Sequence, residues 1–478
     1  MIRRIALPLA LGVLAGALGA VPAHAQQGLS VQETNLRAKP ATVLIISEVS
    51  ADVTLDCGGG SQTVKPTSFK ETGTGWFIDP AGWVITNGHV VQPAYEPPRW
   101  LINQMAQRAV TSACLGPALK AAGLVPGDRP DAEDALKRRL LDRVLGTVKL
   151  TINPQISVVL SSGTRLKAEV KKYSPPASIE PGAPSARDLA LLKVPDGNYP
   201  MLRLADSTPV QIGDPIRILG FPGVVLSHEL LNQSASIDAS VNNGSVSGLK
   251  QDKSNHPYIQ TDAPAAWGNS GGPVINAKAE LVGVLTFVSP GAEGSLVQGF
   301  NFAIPTQTVK SFVAGTPVNL NEPGKFNQAW FAGLHAFFTG DWKGARRKFE
   351  DVDKMQPGLV DVKRMLGEAA EMIKNPPPRP FPWFWVTIGV SLLSAGGYSA
   401  QYAIRWQKNR YRVAPSEILK MTEAGKNPII LDTRQQAAYD KMPIKIPDSI
   451  RLSPEDLASG GVAALELDTS RPVVAYCT

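Results

Sequence analysis

Gln260-Thr261-Asp262-Ala263-Pro264-Ala265-Ala266-Trp267-Gly268-Asn269-Ser270-Gly271-Gly272-Pro273 is the stretch from which the rest of the chain can be read. A serine hydroxyl is a poor nucleophile until a base takes its proton. The tetrahedral intermediate it forms needs backbone N–H donors aimed at the oxyanion. Glycine at 268 lets the loop turn so that the amides of Gly268 and Ser270 can point together, with Asn269 between them. Gly271 and Gly272 are expected to keep the neighbouring backbone slim where a substrate strand approaches. Ser270 is the expected nucleophile, and Gly268, Asn269 and Ser270 form the expected oxyanion loop.

Working outward, few bases are available. Beyond its first 25 residues the chain has only His89, His228, His256 and His335. Two apolar runs, Gly73 to Ile78 and Trp83 to Thr86, flank the turn Asp79-Pro80-Ala81-Gly82 and read as a β-hairpin. His89 follows where the second strand ends. Asp188 opens the apolar strand Leu189-Ala190-Leu191-Leu192-Lys193-Val194, a position that tends to bury a carboxylate. Each piece alone has a bland reading: a glycine-rich loop, a structural histidine, an aspartate at a strand start. Together, in the order His, Asp, Ser within one β-rich stretch, they predict His89 as general base and Asp188 as the group that orients it.

Thr-Asn-Gly-His-Val-Val (86–91), Asp-Leu-Ala-Leu-Leu-Lys-Val (188–194), Gln-Thr-Asp…Gly-Asn-Ser-Gly-Gly-Pro (260–273) and Gly-Phe-Asn-Phe-Ala-Ile-Pro (299–305) resemble the catalytic domain of HtrA/Deg-type proteases over residues 35–316. The resemblance implies a mainly β fold, a chymotrypsin-like pair of six-stranded barrels with the triad in the cleft between them. The expected activity is that of a serine endopeptidase acting on exported, misfolded proteins, with no cofactor and no metal. The chain departs from the family in two ways. His89 and Asp188 lie 99 residues apart, and the excess, about 92–150, reads as a helical insertion: apolar residues at 136, 140, 141, 144 and 145 form a stripe, and Arg99 to Ala122 extends it. A lid or docking face and a passive elaboration are both compatible with it. No PDZ domain follows the catalytic region. In trypsin-like enzymes that prefer basic side chains, an acidic residue floors the specificity pocket about six positions before the nucleophile. Here that place is Pro264, so cleavage after Val, Ala, Ile or Leu is expected; the alternative is that pocket walls from the Val288 to Gly294 loop reshape the site.

Residues 1–25 read as a signal peptide: Arg3 and Arg4, an apolar run from Ile5 to Val21, and the small-x-small site Ala23-His24-Ala25. Export permits a Cys57–Cys114 bridge, but spacing alone does not choose between a bridge and two thiols.

Past the protease, residues 325–375 fall near tetratricopeptide spacing, with Gly340-Asp341 as the turn of a helical hairpin. Residues 376–382 form a Pro-rich spacer. Residues 383–404 are 22 uncharged, largely apolar residues, read as a transmembrane helix of about 33 Å. Arg405, Lys408, Arg410 and Arg412 then place residues 405–478 in the cytoplasm of a single-pass inner-membrane protein whose protease faces the periplasm. Residues 413–478, with Leu431-Asp432-Thr433-Arg434 and Val473-Val474-Ala475-Tyr476-Cys477, resemble the first part of an α/β rhodanese domain. That resemblance implies Cys477 as a sulfur-carrying nucleophile. The chain ends before the loop and helices that would complete such a domain; a fragment and a degenerate domain are both compatible.

Composition narrows the alternatives. At 43% hydrophobic and 19% charged the 478 residues are globular, with roughly two to four domains. The net charge of +7 is not organised into basic runs interleaved with aromatics, so nucleic acid is not an expected partner. The absence of Cys-x-x-Cys and His-Glu-x-x-His excludes the common zinc motifs. Expected partners are protein or peptide substrates and a membrane, with self-association open. A transmembrane scaffold or signalling protein, linking outside binding to a sulfurtransferase-like segment inside, is the alternative function.

Overall fold

The computed structural model describes residues 29–176, 186–206, 210–228, 232, 237–290, 296–378, 381–442, 444–459 and 465–477, with backbone alone for 287–290 and 296–299. The signal-peptide reading of residues 1–25 lies outside the described residues. Contacts divide the chain into two units, Met1–Pro377 and Pro378–Thr478. The division falls inside the expected Pro-rich spacer.

The first barrel is built from β1 (Thr42–Asp56), β2 (Ser61–Val64), β3 (Phe69–Asp79), β4 (Trp83–Thr86), β5 (Lys149–Val159), β6 (Arg165–Ser174) and β7 (Leu189–Lys193). The order is β2-β1-β3-β4-β7-β6-β5, and a β1–β5 pairing closes six of the strands on themselves. Alternation along β3 shows why two cores form: successive side chains point to opposite faces. Phe77 enters the first barrel with Val43, Ile45, Val84 and Leu192. Trp76 and Ile78 face the other way, onto Leu219, Ile275, Leu281 and Val284 of the second barrel. The turn between β3 and β4 is the expected one: Gly82 donates to the Asp79 carbonyl, and the Asp79 carboxylate accepts from the Ala81 amide.

The second barrel is closed in the order β10-β13-β12-β11-β8-β9. Its strands are β8 (Pro215–Gly220), β9 (Ser240–Gln251), β10 (Pro257–Thr261), β11 (Pro273–Ile275), β12 (Leu281–Pro290) and β13 (Leu296–Pro305). The serine-bearing loop joins β10 to β11, so both its ends are anchored in hydrogen-bonded strands.

Helices decorate this frame: α1 (Val31–Ala38), α2 (Gly88–Tyr95), α3 (Arg99–Ala121), α4 (Pro130–Val144), α5 (Gly223–Leu226), α6 (Thr306–Val313), α7 (Lys325–Phe338), α8 (Trp342–Met355) and α9 (Val360–Lys374). The insertion is helical as expected. Leu101, Met105, Ala109, Val110, Leu140 and Val144 bury into the first barrel's core. A disulfide joins Cys57, just past β1, to Cys114 of α3, which settles the choice left open above. Helices α7 to α9 turn at Gly340–Asp341, where Asp341 caps α8 by accepting from the Gly344 amide. They are continuous with the barrel: Phe326, Trp330, Phe349 and Val362 join its core. The Trp330 indole donates to the Leu36 carbonyl, and Asn327 bonds both the amide and the carbonyl of Met201.

In the second unit, α10 (Trp383–Asn409) forms where the sequence places a helix, and none of its residues is buried. The reading of residues 383–404 as a membrane span is corrected, however. No helix among the described residues is long and apolar enough to cross a membrane. At 27 residues α10 has the length; Thr387, Ser391, Ser394, Gly396, Gly397, Ser399 and Gln401 dilute its apolarity. After it come α11 (Pro415–Glu423), β14 (Ile429–Asp432), α12 (Gln436–Lys441), β15 (Ile450–Arg451), α13 (Pro454–Ala458) and β16 (Val473–Tyr476). The three strands pair in parallel, in the order β15-β14-β16. Their core is small: Ile429, Leu431 and Leu452.

Candidate active site

The strand end of β4 delivers His89 onto the first turn of α2, and Asp188 stands just before β7, the neighbour of β4. The Asp188 carboxylate meets the histidine twice. Its Oδ2 lies 2.8 Å from His89 Nδ1, and its Oδ1 accepts the His89 backbone N–H at 2.9 Å. Asp188 is buried and adopts φ +50°, a left-handed conformation that aspartate tolerates better than most residues. Two neighbours hold it there. Asn87 donates to its carbonyl at 2.9 Å, and the Thr286 hydroxyl donates to Oδ2 at 2.5 Å. Burial acts to lower the pKa of His89, but the Asp188 charge, its hydrogen bond and the charge of Glu71 together raise it.

The serine loop is held from both barrels. The Thr74 amide donates to the Ser270 carbonyl at 2.8 Å, and the Thr74 hydroxyl donates to the Gly268 carbonyl at 2.7 Å. The Phe221 amide donates in turn to the Thr74 hydroxyl, and the Gly223 amide to the Trp267 carbonyl. Gly268 adopts φ +98°, and a side chain there would strike the Phe221 carbonyl. Among the described residues, no acceptor takes the amides of Gly268 or Ser270. Asn269 spends its own amide on the Ala266 carbonyl, which leaves the amides of Gly268 and Ser270 as the candidate oxyanion donors.

Two expectations change. Gly271 and Gly272 do not open room for a substrate strand. A Cβ on Gly271 would fall 2.1 Å from the Thr74 carbonyl oxygen, and one on Gly272 2.3 Å from that of Leu219. They let the protein's own strands close behind Ser270. The Ser270 hydroxyl donates to the Thr286 carbonyl at 3.3 Å, with no hydrogen bond to His89 among the described residues. Thr286 therefore contacts both ends of the expected triad, its hydroxyl on Asp188 and its carbonyl on Ser270.

Thr286, Thr74 and Asn87 were not picked out by the sequence. Thr74 and Asn87 lay inside quoted motifs without a role; Thr286, mid-strand in β12, carried no local signal. Before the nucleophile, Asp262 is tied to β9, accepting from the amide and hydroxyl of Ser245. The Ala263 and Pro264 carbonyls accept from Asn301 and Asn242. The side chains of Val288 to Gly294 lie outside the described residues. Cys477, in the second unit, is a free, exposed thiol directly after β16. Near it the Asp432–Arg434 pair is buried, and Asp432 accepts from the Tyr476 hydroxyl.

Comparison with known proteins agrees with this geometry. Residues 73–284, which contain all three triad candidates, match the trypsin-like peptidase domain family. Serine protease HTRA4 of Mus musculus is 32% identical over 165 residues, covering 34% of this chain and 30% of that protein. A probable periplasmic serine endoprotease DegP-like of Pseudomonas putida is 32% identical over 179 residues, covering 37% of this chain and 32% of that protein. The chain thus spans about a third of the curated relatives it matches. Among solved structures, the serine endoprotease from Yersinia pestis aligns at 20% identity and a TM-score of 0.33, covering 59% of this chain and 65% of that one. Residues 73–284 are thus similar to the trypsin-like peptidase domain family, and the curated relatives with which the chain aligns include HTRA4 and DegP-like serine proteases.

Proposed function

We propose that this chain is an exported serine endopeptidase in which Ser270 attacks, His89 moves the proton and Asp188 orients the imidazole. The observation that carries the reading is the buried Asp188 carboxylate, hydrogen-bonded to His89 and joined through Thr286 to Ser270. For attack, the Ser270 hydroxyl rotates from the Thr286 carbonyl to His89 and gives up its proton. The Gly268 and Ser270 amides stabilise the oxyanion, and the imidazolium, paired with Asp188, then protonates the leaving amine. Water repeats the sequence on the acyl-enzyme. Misfolded exported proteins are the proposed substrates, as in the HtrA resemblance. Export is supported by the leader pattern and by the Cys57–Cys114 disulfide, since such bonds persist in oxidising compartments.

Pro264 at the expected pocket floor and Asp262 engaged by Ser245 support cleavage after Val, Ala, Ile or Leu. A fluorophosphonate probe tests the activity: wild-type chain should be labelled and Ser270→Ala not, with casein cleavage lost together with labelling. Equal cleavage by the two proteins would refute the assignment. Fragment masses from a denatured protein test the specificity, and cleavage mainly after Lys or Arg would overturn it.

A second reading attaches to residues 413–478, where a free, exposed Cys477 follows a strand of a parallel sheet. We propose that this segment is rhodanese-like, with Cys477 as sulfur carrier. Incubation with thiosulfate should leave a persulfide on Cys477, seen by mass spectrometry; an unmodified thiol would end that reading.

A further inference from the structure

We propose that Glu71, flanked by Phe69 and Trp100, forms a subsite on the leaving-group side of the peptidase cleft that binds a lysine or arginine side chain of the substrate. The proposal rests on the reading of Ser270, His89 and Asp188 as a peptidase site. It starts from strand geometry. Phe69, Glu71 and Gly73 are alternate residues of β3 and share one face of it. That face can be followed at both ends. At Gly73 a Cβ would fall 2.6 Å from the Val90 side chain, so the strand lies against the start of α2, beside His89. At Phe69 the ring packs edge-on against Trp100 in the first turn of α3, with centroids 5.7 Å apart. Glu71 lies between, close enough for its charge and that of His89 to be felt by each other.

Among the described residues the Glu71 side chain has no hydrogen-bond or ion-pair partner. The nearby ammonium of Lys70 goes to Glu48 instead. Ser47, its cross-strand neighbour in β1, is buried with a hydroxyl that is likewise unpartnered. Burial raises the pKa of Glu71 against the pull of His89, as expected for an anion stripped of water without a fixed counter-ion. A substrate cation would supply what is missing.

The side of the cleft follows from the chemistry. The imidazole hands its proton to the leaving amine, so the residues after the scissile bond lie beside His89. Trp100 is 55% exposed, which leaves its ring available to the methylene stem or the cation of a long basic side chain. The enzyme would then read an aliphatic residue before the bond and a basic one after it.

The test uses the full chain and internally quenched peptides that differ only by Lys or norleucine at one position after the cleaved bond. Wild type should favour the lysine peptide by about tenfold in kcat/KM, the scale of one charge-assisted contact. Glu71→Gln should bring the ratio close to one, and Glu71→Lys should turn it towards a glutamate peptide. The ratio, not the absolute rate, is the readout, and fluorophosphonate labelling of each variant certifies an intact site. A wild-type ratio near one, or a ratio unchanged in Glu71→Gln, overturns the subsite while leaving the peptidase reading in place. A uniform slowing of every peptide with a shifted pH midpoint also overturns it, making Glu71 a neighbour that only tunes His89. Absence of labelling in wild type would bring down both readings.

Discussion

His89 with Asp188 and His256 with Asp252 make nearly the same pair of hydrogen bonds. Nδ1 lies 2.8 Å from an Asp188 oxygen in the first and 2.9 Å from an Asp252 oxygen in the second. In both, the histidine's own amide donates to the other carboxylate oxygen, at 2.9 and 2.8 Å. What surrounds them differs. Asp252 and His256 are four residues apart in the turn between β9 and β10, and Asp252 also accepts the Ser254 amide. That pair is made by a local turn and contributes mainly to the turn. Asp188 and His89 are 99 residues apart and meet only after the first barrel has closed. Their carboxylate is 7% exposed against 24% for Asp252, takes its third hydrogen bond from the distant Thr286 rather than from its own turn, and is joined through that residue to a serine. A histidine–aspartate bond is therefore not in itself a catalytic device. Burial of the carboxylate and its link through Thr286 to a serine hydroxyl are what set the His89–Asp188 pair apart.

The largest effect that could break this comparison is on rate. Asp188→Asn should lower kcat by about 10⁴, since the amide favours the wrong tautomer of His89. Asparagine also tolerates the left-handed backbone at this position, so a loss through unfolding is not expected, and circular dichroism checks it. Asp252→Asn should leave kcat/KM within about twofold. Comparable losses in the two variants, measured on one peptide, would erase the distinction.

Thr286→Val sharpens the comparison at the next scale. It removes the donor to Asp188 but keeps the carbonyl that receives the Ser270 hydroxyl. One lost charge-assisted hydrogen bond at a buried carboxylate corresponds to about 1.5–3 kcal/mol, or roughly 10- to 150-fold in kcat/KM. An unchanged rate would show that the bonds to His89 alone position the carboxylate.

How much of this was readable beforehand depends on how locally each feature is encoded. The candidates Ser270, His89 and Asp188, the last two of which the fold brings into contact, could be proposed because each sits in a run of residues whose chemistry is self-contained: a glycine-bracketed serine, a hairpin ending in histidine, a carboxylate opening an apolar strand. The helices of the insertion were legible from their stripe. Thr286 was not, because a threonine inside an apolar strand looks like any other β-branched residue until barrel closure brings it to Asp188. Gly271 and Gly272 were assigned to the wrong neighbour for the same reason. The space they make is filled by Thr74 and Leu219, distant in sequence. Residues 383–404 show the opposite failure. The absence of charge was read as a membrane span, while the small and polar residues that weaken the span carry no charge and were discounted.

The two pairs should also answer differently to pH. His89 acts as a base only when neutral, and the balance of Asp188 and Glu71 over burial raises its pKa above the ordinary 6.5. Activity should therefore rise with pH through a midpoint above 6.5 and fall on the acid side. For stability the sign is reversed: a raised folded pKa gives stabilisation that is complete below the unfolded pKa and is lost as pH climbs through the folded one. A kcat/KM midpoint below 6.5 would mean that burial outweighs both carboxylates.

The smallest effect belongs to Asp252, and it isolates what a local pair contributes. Burial works to raise its pKa, but the amides of His256 and Ser254 and the imidazole of His256 outweigh burial and lower it below the ordinary 3.8. A depressed carboxylate stabilises the fold above the unfolded pKa and loses that contribution as pH falls through the folded value. Asp252→Asn keeps an oxygen for the two amides, puts an NH2 where the other oxygen faces His256 Nδ1 and removes the charge, and the side chains of this pair are partly exposed, 21% for His256 and 24% for Asp252. Screening by water then limits the loss to about 0.5–1 kcal/mol near neutrality. Urea titrations at two pH values measure it. The wild type should be slightly more stable than the variant near neutrality, where Asp252 is ionised. The gap should narrow as pH falls through the lowered pKa of Asp252, where its carboxyl becomes as neutral as the asparagine. A gap that persists in acid would assign the stabilisation to the shape of the turn rather than to its charge. A gap of several kcal/mol would place Asp252 among the groups that hold the second barrel together, and the local pair would no longer be the weaker partner in the comparison.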